Sequence, residues 1–304
     1  MIVVKFGGTS VGDADAIQRA ADVVRARIAG RPVVVVSAMS GATNALLAIA
    51  EQASRGQLIG ALRGVEQLRE RHLGAASALL TDTAAAEVSS ELSASFDELA
   101  QLAEALSVLG YLTPRSQDHI AAMGELMSSQ LVTAAFAARG IPSEHVDARQ
   151  VMVTDDRFCR AEPQPEAIAE AARARLQPLL RDGRVPVMGG FIGATAQGIT
   201  TTLGRGGSDY SASLVGAAMQ ADAIEIWTDV DGMLTADPRV VPDARLIERI
   251  RFDEASELAS FGAKVLHPST ITPADRGRST KCSGSTIRPS TVSSFSISSS
   301  WCSP

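Results

Sequence analysis

Lys5 stands two residues before a glycine pair, in the run I-V-V-K-F-G-G-T-S from Ile2 to Ser10. Gly7 and Gly8 let backbone N–H groups approach a phosphate, and the N-terminus of a following helix adds partial positive charge. A glycine pair also serves as a plain tight connection between strand and helix, so the turn alone does not decide its own chemistry. The lysine census weighs on it: of 28 basic side chains only three are lysine, Lys5, Lys264 and Lys281. On a solvated surface an ammonium and a guanidinium interchange, but in a tight phosphate pocket they do not.

Other residues carry matching chemistry. The stretch T-T-T-L-G-R-G-G-S-D, Thr200 to Asp209, sets Arg205 among three glycines, where a guanidinium forms a natural anion clamp. Ser208 and Asp209 suit the cap and first turn of a following helix, which is an alternative to any catalytic part. Glu125, next to Gly124, interrupts an apolar helical pattern containing Met123, Leu126 and Met127. It is either the wet edge of that helix or a buried acid with a task. Thr228-Asp229-Val230-Asp231-Gly232 and Asp237-Pro238-Arg239 mix acids with turn signals, so some of those acids serve turn chemistry. Lys264 lies in F-G-A-K-V-L-H-P.

Composition narrows the classes. A chain of 304 residues can bury a large core. A net charge of −6 gives no reason to expect a nucleic-acid or anionic-membrane partner. No apolar run approaches a membrane span and no leader precedes the first strand, so a cytoplasmic, soluble protein is expected. Cys159, Cys282 and Cys302 lack metal or disulfide spacing, and His72, His119, His145 and His267 are scattered.

The elements that must position these residues follow from pattern. Ile2 to Phe6, Arg31 to Met39 and Arg184 to Ala194 read as continuous apolar strands, each running into a glycine-bearing turn, and Ala223 to Trp227 as another strand. Apolar strands alternating with helices, such as 13–28, predict a parallel sheet covered on both faces, with ligands at the strands' carboxyl ends. Leu46 to Leu109 holds helical spacing without β-branched runs, and another helix is expected over Ser116 to Arg139. The span from about 46 to 139 therefore reads as a helical lobe. Short strands are expected at 141–148 and 151–154, and helices at 163–180, 208–219 and 252–261. From Ser279 onward the composition breaks: eleven of the last 26 residues are serine. The expectation is a disordered polar tail over 275–304, or an out-of-frame product, since one earlier frame can encode two apolar strands joined by a turn.

Taken together, K-F-G-G-T-S, S-A-M-S-G-A-T-N, Gly124-Glu125, T-T-L-G-R-G-G-S-D, T-D-V-D-G with T-A-D-P-R, and F-G-A-K-V-L-H-P closely resemble the catalytic domain of the aspartate kinases over about residues 1–274. The resemblance implies an α/β, three-layer αβα sandwich with a mainly parallel central sheet and a helical insertion, the amino-acid-kinase fold. It implies phosphorylation of the L-aspartate side chain by ATP with Mg²⁺, giving 4-phospho-L-aspartate on the route to lysine, threonine, methionine and diaminopimelate. On that basis Lys5 and Asp209 are catalytic, with Asp209 orienting Lys5 near the metal and phosphates. Mg²⁺ is carried by the ATP phosphates rather than by a protein cage. Arg205 pairs with the α-carboxylate, Glu125 receives the α-ammonium, and Ser37, Thr43 and Ser208 complete the amino-acid pocket. Lys5, Gly7, Gly8, Thr228, Asp229, Asp237, Arg239 and Lys264 form the nucleotide side.

Two departures from the family's pattern stand out. Leu234 replaces an aromatic that some relatives set against adenine. Nothing after about Ala274 resembles the last strand of the kinase domain or the paired regulatory domains that bind lysine or threonine. Feedback inhibition through them is not expected, and a homodimer is expected to be weakened without their contacts. Alternatives are a glutamate or acetylglutamate kinase of the same family, or an unstable, inactive nucleotide-binding product with an unpaired sheet edge.

Overall fold

The computed structural model describes residues 1–204, 206–228, 235–236, 241, 243–245 and 247, with the backbone of Ile250–Arg251, Thr286–Ser290 and Ser294–Ser298. Among them, β1 (Ile2–Phe6) lies between β2 (Pro32–Val36) and β8 (Ala223–Trp227), parallel to both. β5 (Val185–Gly189) continues the parallel run beside β2, and β3 (Ser143–His145) beside β5. The chain leaves β1 towards β2 on one side and returns to it as β8 on the other. That reversal opens a crevice at the carboxyl end of β1.

The period-2 alternation of β1 splits its side chains between two cores. Val4 and Phe6 join Val34 and Val36 on one face, packed by α1 (Ala14–Ala26), α2 (Ala42–Ser54) and α5 (Pro114–Ala138). Val3, Val33 and Val35 belong to the other face, covered by α6 (Pro165–Arg181) and α7 (Gly207–Ala218). The result is the three-layer α/β sandwich expected from uniformly apolar strands. The helical lobe is present as α2, α3 (Leu58–Leu79), α4 (Asp82–Leu109) and α5. Asp13 caps α1 by accepting from the Ala16 amide at 2.8 Å, and Thr113 caps α5 from Ser116 at 3.0 Å. Among the described residues α5 is the one helix long and apolar enough to cross a membrane, and 72% of its most apolar window is buried in the protein.

Several boundaries differ from the sequence pattern. The apolar run 184–194 is two strands, not one: β5 stays in the large sheet, while β6 (Ile192–Thr195) pairs with β4 (Val153–Thr154) and β7 (Thr200–Thr202) in a small sheet. The break falls at Gly190-Phe191, where Phe191 takes a left-handed backbone (φ 66). A Cβ at Gly190 would come within 2.7 Å of the Ser208 backbone, so glycine there lets β5's end reach the start of α7. Ser208 does not cap α7. Gly206, at φ 75, is the cap residue, and Ser208 and Asp209 lie inside the first turn. A left-handed residue at that point suits glycine and excludes a side-chain cap.

The serine-rich tail departs from the structureless expectation over two short strands. β10 (Thr286–Ser290) and β11 (Ser294–Ser298) form an antiparallel hairpin, and β11 pairs antiparallel with β8, Ser294 opposite Trp227. The sheet order is β3-β5-β2-β1-β8-β11-β10-β9, with β9 at Ile250–Arg251, so β8 is an interior strand. The signal was a short one: S-F-S-I-S alternates strictly. The helix expected over 252–261 lies outside the described residues.

Candidate active site

At the carboxyl ends of β1, β2 and β5 a cleft of about 700 Å³ brings together Lys5, Gly7, Gly8, Ser37, Thr43, Glu125, Ser208, Asp209 and Thr228. These are nine of the residues named from the sequence, Lys5, the glycines, Glu125 and Asp209 by type and spacing and Ser37, Thr43, Ser208 and Thr228 by the family resemblance. Arg205, Asp229, Asp237, Arg239, Lys264 and Leu234 lie outside the described residues.

Lys5 occupies the penultimate position of β1, opposite Val35 and Ile226. Its Nζ is 2.6 Å from Oδ1 of Asp209, in the first turn of α7. Both side chains are largely withdrawn from solvent, at 9% and 18% exposure, so the pair is a fixed element of the cleft rather than a surface contact. Gly7 sits beside it: a Cβ there would lie 3.6 Å from Nζ. The Gly7 amide, however, donates to the carbonyl of Trp227 at 3.0 Å. That N–H ties the end of β1 to β8, which removes it from the phosphate-binding amides anticipated in this turn.

The helical lobe reaches into the same region. Arg71 of α3 donates from Nη1 to the Ser40 carbonyl at 2.6 Å and from Nη2 to the Gly12 carbonyl at 2.9 Å. One guanidinium thus joins the turn after β1 to the turn after β2. Ser128 of α5 donates to the Ser37 carbonyl at 2.8 Å, fixing the end of β2. The sequence held no sign of either role, because both use a side chain to hold a distant backbone carbonyl.

Glu125 is 3% exposed. Its Oε1 accepts from the Ala38 amide at 3.2 Å, while Oε2 is buried without a hydrogen-bond partner. Burial pushes its carboxyl up to about 8, only partly offset by the Ala38 amide. The wet-edge reading of this residue is therefore excluded. The helix gets this close because β5 ends in glycine: a Cβ at Gly189 would meet the Glu125 Cβ at 3.0 Å and its carbonyl oxygen at 3.2 Å. A buried carboxyl with one unmet oxygen at a cleft wall is a receptor for a cationic donor.

Pattern reading missed Asp118 altogether. It lines the same cleft from α5, at 1% exposure. Its neighbours in sequence, Gln117 and His119, make it look like part of an ordinary polar helix start. Cys159 and Phe191 also line the cleft, and both hold positive φ, each at 66.

The arrangement has one end that can neutralise a phosphoryl anion, at Lys5, and one that can receive a cation, at Glu125. Among the described residues no group of three His, Cys, Asp or Glu side chains could cage a metal ion.

Comparisons with known proteins give the chain its family. Residues 1–282 match the model of the amino acid kinase family. The chain is 42% identical over 284 residues to lysine-sensitive aspartokinase 3 of Escherichia coli, covering 91% of this chain and 59% of that protein. It is 39% identical over 278 residues to the aspartokinase of Chlamydia muridarum, with the same coverage, 91% and 59%. The crystal structure of E. coli aspartokinase III in complex with aspartate and ADP superposes with a TM-score of 0.83 at 42% identity, over 91% of this chain and 60% of that one. The chain thus spans about three-fifths of the length of these relatives.

Proposed function

From the premise that this chain belongs to the amino acid kinase family, we propose that it is an aspartate kinase, transferring the γ-phosphoryl group of ATP to the side-chain carboxylate of L-aspartate. The observation that carries this reading is Glu125, whose buried, unpartnered Oε2 faces a cleft with the Lys5–Asp209 pair. A free α-ammonium answers that oxygen. An N-acetylated substrate brings no cation there, which disfavours an acetylglutamate kinase.

The chemistry asks little of a general base. The aspartate side chain, with a reference pKa of about 3.9, is already an anion at neutral pH. One carboxylate oxygen attacks the γ-phosphorus, the bond from that phosphorus to the β-bridging oxygen breaks, and ADP leaves with the electron pair. The products are 4-phospho-L-aspartate and ADP, with no net proton required in the transfer itself. The barrier is the approach of two anions, so catalysis lies in alignment and charge neutralisation. Lys5 supplies a compact cation for the transferring group, held in place by Asp209. Ser37, Thr43 and Ser208 line the amino-acid end, and Arg205 is assigned the α-carboxylate. Thr228, Asp229, Asp237, Arg239 and Lys264 are assigned to the nucleotide. Mg²⁺ neutralises charge on the phosphates when bound. Asp209, beside Lys5, is the carboxylate that would stand near such an ion.

The test is ATP-dependent acyl-phosphate formation, trapped as the hydroxamate, with L-aspartate, L-glutamate and N-acetylglutamate in parallel. Aspartate turnover is expected, falling on the order of 1,000-fold in Lys5→Ala with folding retained. Turnover of glutamate but not aspartate would overturn the assignment.

A further inference from the structure

Asp118 has no part in the transfer described above, yet it is among the most completely bonded carboxylates in the cleft. Its Oδ2 accepts from the Cys159 amide at 2.8 Å and from the Thr202 amide at 3.0 Å, and its Oδ1 accepts from Thr202 Oγ1 at 2.6 Å. One buried side chain therefore gathers α5, the loop over 155–161 and the end of β7. Two further bonds close this junction. The Ala161 amide donates to the Thr202 carbonyl and the Leu203 amide to the Phe191 carbonyl, both at 2.9 Å.

Thr202 is the last residue of β7 and runs directly into Leu203-Gly204, the start of the glycine-rich turn. That turn leads into α7, which carries Ser208 and Asp209. On the other side, Asp118 and Glu125 are seven residues apart on one continuous helix. Seven residues are two turns, about 10 Å of rise, and return to nearly the same helix face. The face of α5 that presents Glu125 is thus the face that grips Thr202. Any shift of the Asp118 grip changes the distance from Glu125 to the turn before α7.

We propose that Asp118 is a positioning residue that fixes the separation between the Glu125 carboxyl and the glycine-rich turn, and thereby the length of amino acid the cleft accepts. This rests on the reading that an amino acid spans those two points. With its oxygens already taken by three donors, Asp118 acts through Thr202 and the helix it shares with Glu125 rather than as a ligand to the substrate. A carboxylate makes all three bonds charge-assisted; an amide keeps its oxygen for the two N–H donors and turns its NH2 towards the Thr202 hydroxyl, which must then accept, so the grip is weakened rather than abolished.

Asp118→Asn and Thr202→Val test this in the full chain, with KM for aspartate and for ATP, kcat, and turnover of glutamate read separately. Asp118→Asn is expected to raise the aspartate KM about tenfold, leave the ATP KM within about twofold, and narrow the preference for aspartate over glutamate. Thr202→Val removes only the hydroxyl donor and keeps the amide, so the same pattern appears at smaller size. If Asp118→Asn does not accumulate as folded protein, Thr202→Val carries the test alone. Equal rises in both KM values, or a fall in kcat with KM and substrate preference unchanged, would overturn the positioning role. No aspartate turnover by the wild-type chain would instead overturn the kinase reading, and the inference with it.

Discussion

Two carboxylates on one helix, Asp118 and Glu125, are buried to nearly the same degree and have opposite surroundings. At the N-terminal end of α5, Asp118 has every oxygen engaged by donors from two other segments. Two turns later, Glu125 has one weak amide donor and one oxygen with none. Burial of an acid costs free energy unless it is hydrogen-bonded, so a fully met acid holds structure together and a half-met one waits for a partner. The difference separates positioning from binding more sharply than burial does.

Removing Glu125 tests the binding half with the largest expected effect after loss of Lys5. Glu125→Ala should raise the aspartate KM about 100-fold or more, since an ammonium would then be buried without its counter-charge, while the ATP KM moves little. An unchanged aspartate KM would erase the distinction between the two acids. For the positioning half, Asp118→Ala strands two backbone amides and a hydroxyl. The expected loss is about 3 kcal/mol of unfolding free energy, measured by denaturant titration. A loss below about 1 kcal/mol would show that water replaces the carboxylate, and that its grip is dispensable.

Proton linkage distinguishes them in a second way. The folded Glu125 carboxyl sits at about 8, above its ordinary value of 4.5. A raised folded value means that the favourable contribution of the protonated form is complete below about 4.5 and is lost as pH rises towards about 8. Glu125→Gln has no such proton to lose. Its melting temperature relative to wild type should therefore climb between those limits and level off above them. Binding runs the other way: the carboxylate is what an ammonium needs, so the aspartate KM should fall as pH rises towards about 8, and Glu125→Gln should flatten that slope. A pH-independent difference in melting temperature would place Glu125 in a wetter setting than its burial indicates.

The parts of this site that were legible in the sequence are those whose chemistry is local. Lys5 beside Gly7-Gly8, and Asp209 in the first turn of a helix, follow from a strand, a turn and a period. Glu125 was visible as an anomaly, an acid in an apolar pattern, but its pattern could not say whether it was wet or dry. Asp118 and Arg71 were invisible because each works by reaching backbone groups remote in sequence, Thr202 in one case and Gly12 and Ser40 in the other. The split of 184–194 into two sheets was hidden for a related reason. A run of apolar residues does not record which sheet each half joins, and the decisive residue, Phe191, carries a positive φ that no side-chain preference announces. Beside β8, the strict alternation in S-F-S-I-S was present but outweighed by the serine content around it.

The smallest expected effect concerns the segment that Asp118 grips. Cys159 is half-buried and held left-handed at φ 66, and its amide points at the Asp118 carboxylate. Its thiol makes a long contact, 3.7 Å, to the Pro114 carbonyl, and burial, the nearby Asp118 charge and a hydrogen bond to that carboxylate push it up to about 11, so it is a poor nucleophile at neutral pH. A left-handed conformation costs a residue with a Cβ about 1 kcal/mol. Cys159→Gly relieves that cost but enlarges the unfolded ensemble by about 0.5 kcal/mol. The net expectation is a gain of about 0.5 kcal/mol, or roughly 1 to 2 °C in melting temperature, with aspartate KM unchanged. Placed in the Asp118→Ala background, the same substitution should gain less, because the amide that the carboxylate held in that conformation is already released. An equal gain in both backgrounds would show that the loop keeps its left-handed residue without help from Asp118, and would confine the grip of that carboxylate to Thr202.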